Sequence, residues 1–419
     1  MSNETNQIKA IKAIQKKLLG KKLTYSEIYT LMDEIAHERL SEVLTAYFVA
    51  SSFKEGFSPD ELYYLTKAMV ETGTKLEFDG IVADKHSTGG IAGTRTSMII
   101  VPIIAAAGFK IPKTSSRAIT SPAGTADVME VLAPVTITPR RLKQIVDKVG
   151  GCVAWGGKLG IAPADDVIID VEEELSFESF DKIIVSIMAK KIAVGANHLV
   201  LDIPVGRTMK IRHIEDAEKV ANKFKALGKR FNMDVSIDIN ESLQPFGNGV
   251  GPVLEARDVM FILEQQKDRP LELEAKALRL AGRLLNLCYK TQKSDKNGEE
   301  EARLILKSGK ALEKFREIIK EQGGNPNVSS HSLKLTSHKH DVAAGRTGKI
   351  KHIQNYNLNT IARILGAPAD QHAGIYMHKK VDEMVEKNDI VMSFYSKDAH
   401  KLKEAMVTLE SFPIYEIEK

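Results

Sequence analysis

Cysteine is nearly absent: Cys152 and Cys288 are the only two in 419 residues. A disulfide framework is therefore excluded as the basis of the fold, and a reducing, cytoplasmic setting is expected. No charge of one sign dominates. The net charge of +4 argues against a dedicated nucleic-acid binder while leaving room for local cationic pockets. Long apolar runs are missing too: the longest, MIIVPIIAAAG at 98–108, is about half of what a membrane span needs. The first residues, MSNETNQIKAIKAIQKK, have no signal-peptide apolar region. No repeat and no low-complexity tract is present. Several catalytic signatures are also lacking. There is no Walker A lysine motif and no GxGxxG opening a helix, no pair of His or Cys at zinc spacing, and no GxSxG elbow. No metal centre and no cofactor are expected.

What is there is an ordinary globular composition, 43% hydrophobic and 27% charged, over a length that suits two or three domains. Residues 5–75 read as helices, with capping-box spacing at Thr24-Tyr25-Ser26-Glu27 and at Ser58-Pro59-Asp60-Glu61. Ile28, Leu31, Met32 and Ile35 recur at helical spacing. The stripe Val43, Leu44, Tyr47, Phe48 on the helix expected at 41–52 reads either as bundle core or as a dimer face.

After residue 75 the pattern alternates. A short strand at 80–83 runs into the loop DKHSTGG, a buried helix spans 96–107, and a strand at 109–112 runs into KTSSRAITSPAGT. Helices at 126–132 and 139–149 follow, then strands around 152–155, 198–203 and 235–239. Loops rich in glycine, hydroxyls and cations come at 84–94, 113–125, 204–210 and 244–252, after successive strands. A parallel sheet would bring them to its carboxyl edge, where ligands bind. Backbone N–H groups, hydroxyls and cations together form an oxyanion cradle. A lone DKHSTGG reads equally as a tight turn with a helix cap; four such loops favour function.

His86 lies inside the first loop, where a nearby phosphate would favour its charged form. The histidines of Ser337-His338-Lys339-His340 read as solvated loop residues. The helix at 178–194 is expected to join the N-terminal helices. Helical stretches run from 254 to 287 and from 300 to 322, and a linker at 323–330 leads to an α+β tail. The fold expected is thus α/β with α and α+β parts: a discontinuous helical domain (1–75 and 161–195), a large central α/β domain with a mainly parallel sheet (76–160 and 196–328), and a small C-terminal α+β domain (329–419). Anion sites without a nucleophile or metal suit phosphorolysis of a glycosidic bond, which needs a held phosphate, a held sugar and a proton for the leaving base.

DKHSTGG, SSRAITSPAGTADVMEVLAPV, SIMAKKIAVGANHLVLDIPVGRT and LGAPADQHAGIYMHKK resemble the thymidine/pyrimidine-nucleoside phosphorylase family over essentially the whole chain. Within it, SSRAITSPAGT resembles the AMP phosphorylase branch, which converts nucleoside 5′-monophosphates to ribose 1,5-bisphosphate and free base. Thymidine phosphorylases carry a glycine- and histidine-rich loop at that place.

The resemblance implies a homodimer and hinge closure between the helical and α/β domains. It implies that Lys85, Ser87, Ser115 and Thr125 bind phosphate. It further implies that Gly90, Ser116, Arg117, Ala118, Ile119, Thr120, Ser121, Thr125, Ser186, Lys190 and Lys210 contact the nucleotide. Inorganic phosphate is the expected co-substrate.

Three departures accompany it. The branch's proton-donating aspartate is matched by Glu178, following Leu175-Ser176-Phe177, with His86 as the other candidate catalytic group. Thymidine phosphorylases have an arginine near 171 that reads the pyrimidine carbonyl; here Ile169-Asp170-Val171 stands instead. Archaeal AMP phosphorylases begin with a further domain that drives higher assembly. This chain opens on the helical domain, so a dimer is expected. A pyrimidine-nucleoside phosphorylase, or a non-catalytic nucleotide-binding protein on the same scaffold, are the alternatives.

Overall fold

A computed structural model describes residues 2–118, 121–175, 179–207 and 209–418. The chain opens with α1 (Ser2–Leu18), α2 (Tyr25–Ala36), α3 (Glu42–Glu55) and α4 (Pro59–Glu71). Both capping boxes form: Thr24 and Ser58 accept the N–H of Glu27 and Glu61, whose carboxylates take the cap N–H groups in return. Glu61 is buried because its carboxylate also takes Lys17 Nζ and the Leu23 N–H, each at 3.1 Å. The stripe of α2 is buried as expected, but that of α3 divides: Phe48 lies in the core and Val43 and Tyr47 are exposed.

The central part runs β1 (Ala83–Ser87), α5 (Thr96–Ala106), β2 (Ile111–Ser115), α6 (Thr125–Glu130), α7 (Pro139–Val149) and β3 (Gly151–Trp155). Helices α8 (Pro163–Leu175) and α9 (Phe180–Ala193) then pack against α2, α3 and α4. The chain returns through β4 (His198–Val205), α10 (Ile214–Arg230), β5 (Asp234–Glu241) and β6 (Gly249–Val250). The helices α11 (Pro252–Leu263), α12 (Leu271–Thr291), α13 (Gly298–Lys307) and α14 (Lys310–Glu321) follow. Strands β1, β4 and β5 pair in parallel, as do β2 and β3. A bridge between Val82 and Lys110 joins the two ribbons, giving the order β3-β2-β1-β4-β5.

The C-terminal part holds β7 (His338–Ala343), β8 (Gly348–Ile353), α15 (Asn355–Leu365), β9 (Gly374–Met377), β10 (Met384–Val385), β11 (Ile390–Ser396), α16 (Ala399–Ser411) and β12 (Tyr415–Glu418). Strand β6 from the central part adds to the edge of its β9-β11-β7 sheet. Its core is separate and draws in Ala92 and Val250, whereas the helical and central parts share one continuous core. No described helix is long and apolar enough to cross a membrane.

Several expectations need correction. The first two strands begin three and two residues later than expected and continue through Ser87 and Ser115. Lys85, His86, Ser87 and Ser115 are thus strand residues, tolerated there because buried carboxylates face the cations. The two helical stretches after 254 are four helices: Gln265 (φ 51°) and Pro270 separate the first pair, and Gly309 (φ 83°) the second. His338 and His340 are exposed, but on a strand. The segment at 323–330 is no free linker. A Cβ on Gly324 would meet the Leu132 carbonyl at 2.2 Å, and Ser330 N–H donates to Glu264 at 3.1 Å.

Candidate functional site

Strands β1, β2 and β4 hold a buried cluster of charges. Asp84 faces two lysines, Lys191 from α9 at 2.7 Å and Lys113 from β2 at 3.6 Å. Asp202 on β4 also faces two, Lys276 from α12 at 3.0 Å and Lys85 at 3.8 Å. Asn240 donates to Asp202 at 2.8 Å and accepts from Lys276 at 2.8 Å, while Lys85 donates to Thr96 Oγ1 at 2.9 Å. All six ionic side chains are at most 5% exposed. Each carboxylate is shared, so the cluster carries an excess of positive charge.

Burial pulls Lys85 down to about 8 and Lys113 to about 7, the aspartates opposing and the neighbouring cations assisting. The carboxyl of Asp202 is held below its usual range: burial opposes this, and Lys85 and Lys276 outweigh it. His86 sits in the same group, with Nδ1 buried and unpartnered. Burial, then Lys191, Lys113, Lys85 and Lys190, drive it well below the usual imidazole range. His86 is therefore neutral in the free protein, and a charged form requires an anion beside it.

The four glycine-containing loops do converge. Gly89 and Gly90 have φ of 86° and 100°, a left-handed stretch that favours glycine. Gly89 N–H donates to Ser87 Oγ at 3.3 Å, and a Cβ on Gly90 would lie 3.7 Å from the Lys210 nitrogen. Asn355 of α15 clamps this loop, donating to the Gly90 carbonyl and accepting the Ala92 N–H at 3.0 Å. Gly247 N–H donates to the Gly93 carbonyl at 2.9 Å. Asp258 accepts the N–H groups of Asn248 and Gly249, each at 2.7 Å, and Lys380 donates to the Pro245 carbonyl at 2.8 Å. Arg95 connects the first loop to the second through Thr125 at 3.3 Å.

In the second loop Ser115 Oγ donates to the Ser116 carbonyl at 3.1 Å and Ser121 Oγ to the Ala123 carbonyl at 2.8 Å. Asp127 accepts the N–H of Ala118 at 2.7 Å and of Gly124 at 2.8 Å. The Arg117 guanidinium turns to Glu130 (2.6 and 2.7 Å) and Asp127 (3.0 Å) and lies 4.8 Å from the Trp155 ring centre. These hydrogen bonds raise it above the usual guanidinium range. Arg117 thus braces the loop and presents no free guanidinium to a nucleotide. Ile119 and Thr120 lie outside the described residues, as does Glu178.

From the helical side, Ser186 donates to Asp165 at 2.7 Å, and Lys190 pairs with Asp165 at 2.9 Å and Asp166 at 3.1 Å. Burial opposes the Lys190 charge, but the two carboxylates outweigh it and raise the group. Val171, where an arginine would read a pyrimidine carbonyl, is buried in α8.

Three family models match. Residues 79–312 fit a glycosyl transferase family α/β domain, 11–73 its helical bundle domain, and 349–413 a pyrimidine nucleoside phosphorylase C-terminal domain. The chain belongs to this glycosyl transferase family. AMP phosphorylase 1 of Archaeoglobus fulgidus is 43% identical over 399 residues, covering 95% of this chain and 78% of that one. AMP phosphorylase of Methanosarcina barkeri is 42% identical over 400 residues, with the same coverage of 95% and 78%. A Bradyrhizobium diazoefficiens protein named provisionally as a thymidine phosphorylase is 44% identical over 390 residues, 93% of this chain and 75% of that one. Among solved structures, anthranilate phosphoribosyltransferase of Thermus thermophilus matches with a TM-score of 0.61 and 21% identity, over 74% of this chain and 99% of that chain. That likeness shows the fold alone.

As a glycosyl transferase of the nucleoside phosphorylase kind, the chain is an enzyme. Its site contains groups that sequence reasoning did not single out: Asp84, Arg95, Lys113, Asp165, Lys191, Asp202, Lys276 and Asn355. Asp84 and Lys113 stood inside quoted motifs and carried a signal. Lys276 and Asn355 carried none, being single polar residues in helices that only the fold brings here.

Proposed function

We propose that the enzyme phosphorolyses the N-glycosidic bond of nucleoside 5′-monophosphates, AMP above all and CMP or UMP by extension, with inorganic phosphate and no other cofactor. A phosphate oxygen bonds to the anomeric carbon as the carbon–nitrogen bond breaks. The base leaves with the electron pair and takes a proton from Glu178, giving free base and ribose 1,5-bisphosphate. The observation that carries this reading is the shared-carboxylate cluster: Lys85, Lys113, Lys191 and Lys276 against Asp84 and Asp202, with Ser87 opposite Asp202 in the sheet. Such an excess of buried cations is stabilised by an oxyanion.

In this reading Lys85, Ser87, Ser115 and Thr125 hold the attacking phosphate. Gly90, the backbone and hydroxyls of 116–121, and Lys210 hold the nucleotide, while Ser186 and Lys190 face the base. His86 becomes charged when phosphate enters. The exposed Val43 and Tyr47 on α3 belong to the contact of a homodimer.

The test is phosphate-dependent base release from AMP, CMP, UMP, thymidine and uridine. Release from the monophosphates supports the proposal. Turnover of the unphosphorylated nucleosides alone replaces it with a pyrimidine-nucleoside phosphorylase, a reading with which the C-terminal domain match is consistent. AMP binding without any base release leaves a non-catalytic nucleotide-binding protein.

A further inference from the structure

We infer that Arg95 is a positioning residue for the phosphate-binding hydroxyl of Thr125, fixing the direction in which that hydroxyl donates. The inference rests on the phosphorolysis reading and adds a residue to it. Arg95 stands immediately before α5, only 8% exposed, and does not serve as a side-chain cap of that helix. Its Nε donates to Glu255 of α11, and its Nη1 donates to Thr125 Oγ1 at 3.3 Å.

Glu255 is itself fixed. It is 1% exposed and accepts the Gly251 N–H at 3.1 Å. Gly251 has φ of 119°, and a Cβ there would meet the Ala373 carbonyl at 2.4 Å, so the loop that anchors Glu255 admits only glycine. The guanidinium is therefore aimed by Glu255 of α11, which the Gly251 backbone holds in turn.

A threonine hydroxyl has one hydrogen and two lone pairs. Accepting from Arg95 occupies a lone pair on the protein side and leaves the hydroxyl hydrogen to donate to an acceptor in the site. Without Arg95 the hydroxyl rotates freely and must be ordered each time phosphate binds. Arg95 is next in the chain to Thr96, which accepts from Lys85 at 2.9 Å, so it adjoins the cation cluster, and its charge opposes the protonation of Lys85.

A calorimetric double-mutant cycle with inorganic phosphate tests this: wild type, Arg95→Met, Thr125→Ala and the double variant. Arg95→Met is expected to weaken phosphate binding on the order of tenfold, the scale of one charge-assisted hydrogen bond. Thr125→Ala should do much the same, and the double variant should bind no more weakly than Thr125→Ala alone. In kinetics, Arg95→Met should raise KM for phosphate more than it lowers kcat. Equal losses in both backgrounds would mean that Arg95 acts through general structure or directly, and would overturn the inference, as would unchanged binding by Arg95→Met. If Arg95→Met does not fold, Glu255→Gln takes its place in the cycle, with a smaller loss that again must vanish beside Thr125→Ala. Failure of the wild type to bind phosphate removes the phosphorolysis reading and this inference with it, whereas a wild type that binds phosphate with an additive cycle removes only the inference.

Discussion

Lys85 offers the sharpest test of how the buried cluster works. Its ammonium is 3.8 Å from Asp202 and donates to Thr96 at 2.9 Å, and burial lowers it to about 8. Phosphate needs the protonated form, which is lost as pH rises through 8. At pH 7 about nine molecules in ten carry the proton, and at pH 9 about one in ten. The kcat/KM for phosphate, which reports the free enzyme, should therefore fall about tenfold over that interval, or about 1.4 kcal/mol. The ionisation of phosphate itself is removed by comparison with Lys85→Arg, whose guanidinium keeps its charge. The ratio of wild type to Lys85→Arg in kcat/KM should drop about tenfold from pH 7 to pH 9. A ratio that stays level across that range would refute the argument. The stability effect has the sign opposite to that of a paired histidine. An unfolded lysine titrates near 10.4, so between about 8 and 10.4 the unfolded chain binds more protons and stability rises with pH. The destabilisation is fully present below pH 8.

Asp84→Asn should destabilise the protein by about 3–5 kcal/mol in urea unfolding, because Lys113 and Lys191 lose their shared buried partner; a loss below about 1 kcal/mol would mean that the cluster is held otherwise. Asn355→Ala removes the clamp on Gly90 and Ala92. It should cost about 1–3 kcal/mol and speed amide exchange across 89–93, and unchanged exchange there would deny the clamp its role. Glu178→Gln should lower kcat on the order of a hundredfold or more with KM little changed; equal activity would show that the proton comes from elsewhere.

The alternation of strands, loops and helices was legible because hydrophobic period and glycine placement agree along most of the chain. The discontinuity of the helical part was legible as well, since α9 carries the buried face of a bundle helix. Where the reading slipped, charge was the cause. Asp84-Lys85-His86-Ser87 looks like a loop, and in isolation strand propensity disfavours it. It is a strand because β4 pairs with it residue for residue and partners arrive from α9 and β2. The same holds for Lys113, Thr114 and Ser115 on β2. The segment at 323–330 misled for the converse reason: glycine and asparagine suggest freedom, but here the small side chains permit close packing against Leu132 and Ala133.

The site was legible as a set of loops and illegible as a balance of charges. A net charge of +4 spread over 419 residues gives no hint that four lysines converge on two aspartates. Lys190, one of the expected nucleotide contacts, lies on the helical side of the site and is paired with Asp165 and Asp166; it is Lys191, one residue on, that reaches the α/β domain. Adjacent helix residues point about 100° apart, so one position decides whether a lysine belongs to the helical domain or fastens it to β1. That fastening bears on how the domains can close. Lys191 and Asp84 are both essentially inaccessible, and parting them would leave the Lys191 ammonium buried without its carboxylate and Asp84 with Lys113 alone, at 3.6 Å. The hinge closure that the family resemblance implies would then have to pivot about this ion pair with the pair intact, leaving the Ser186–Lys190 side and the glycine loops facing it as the parts that move.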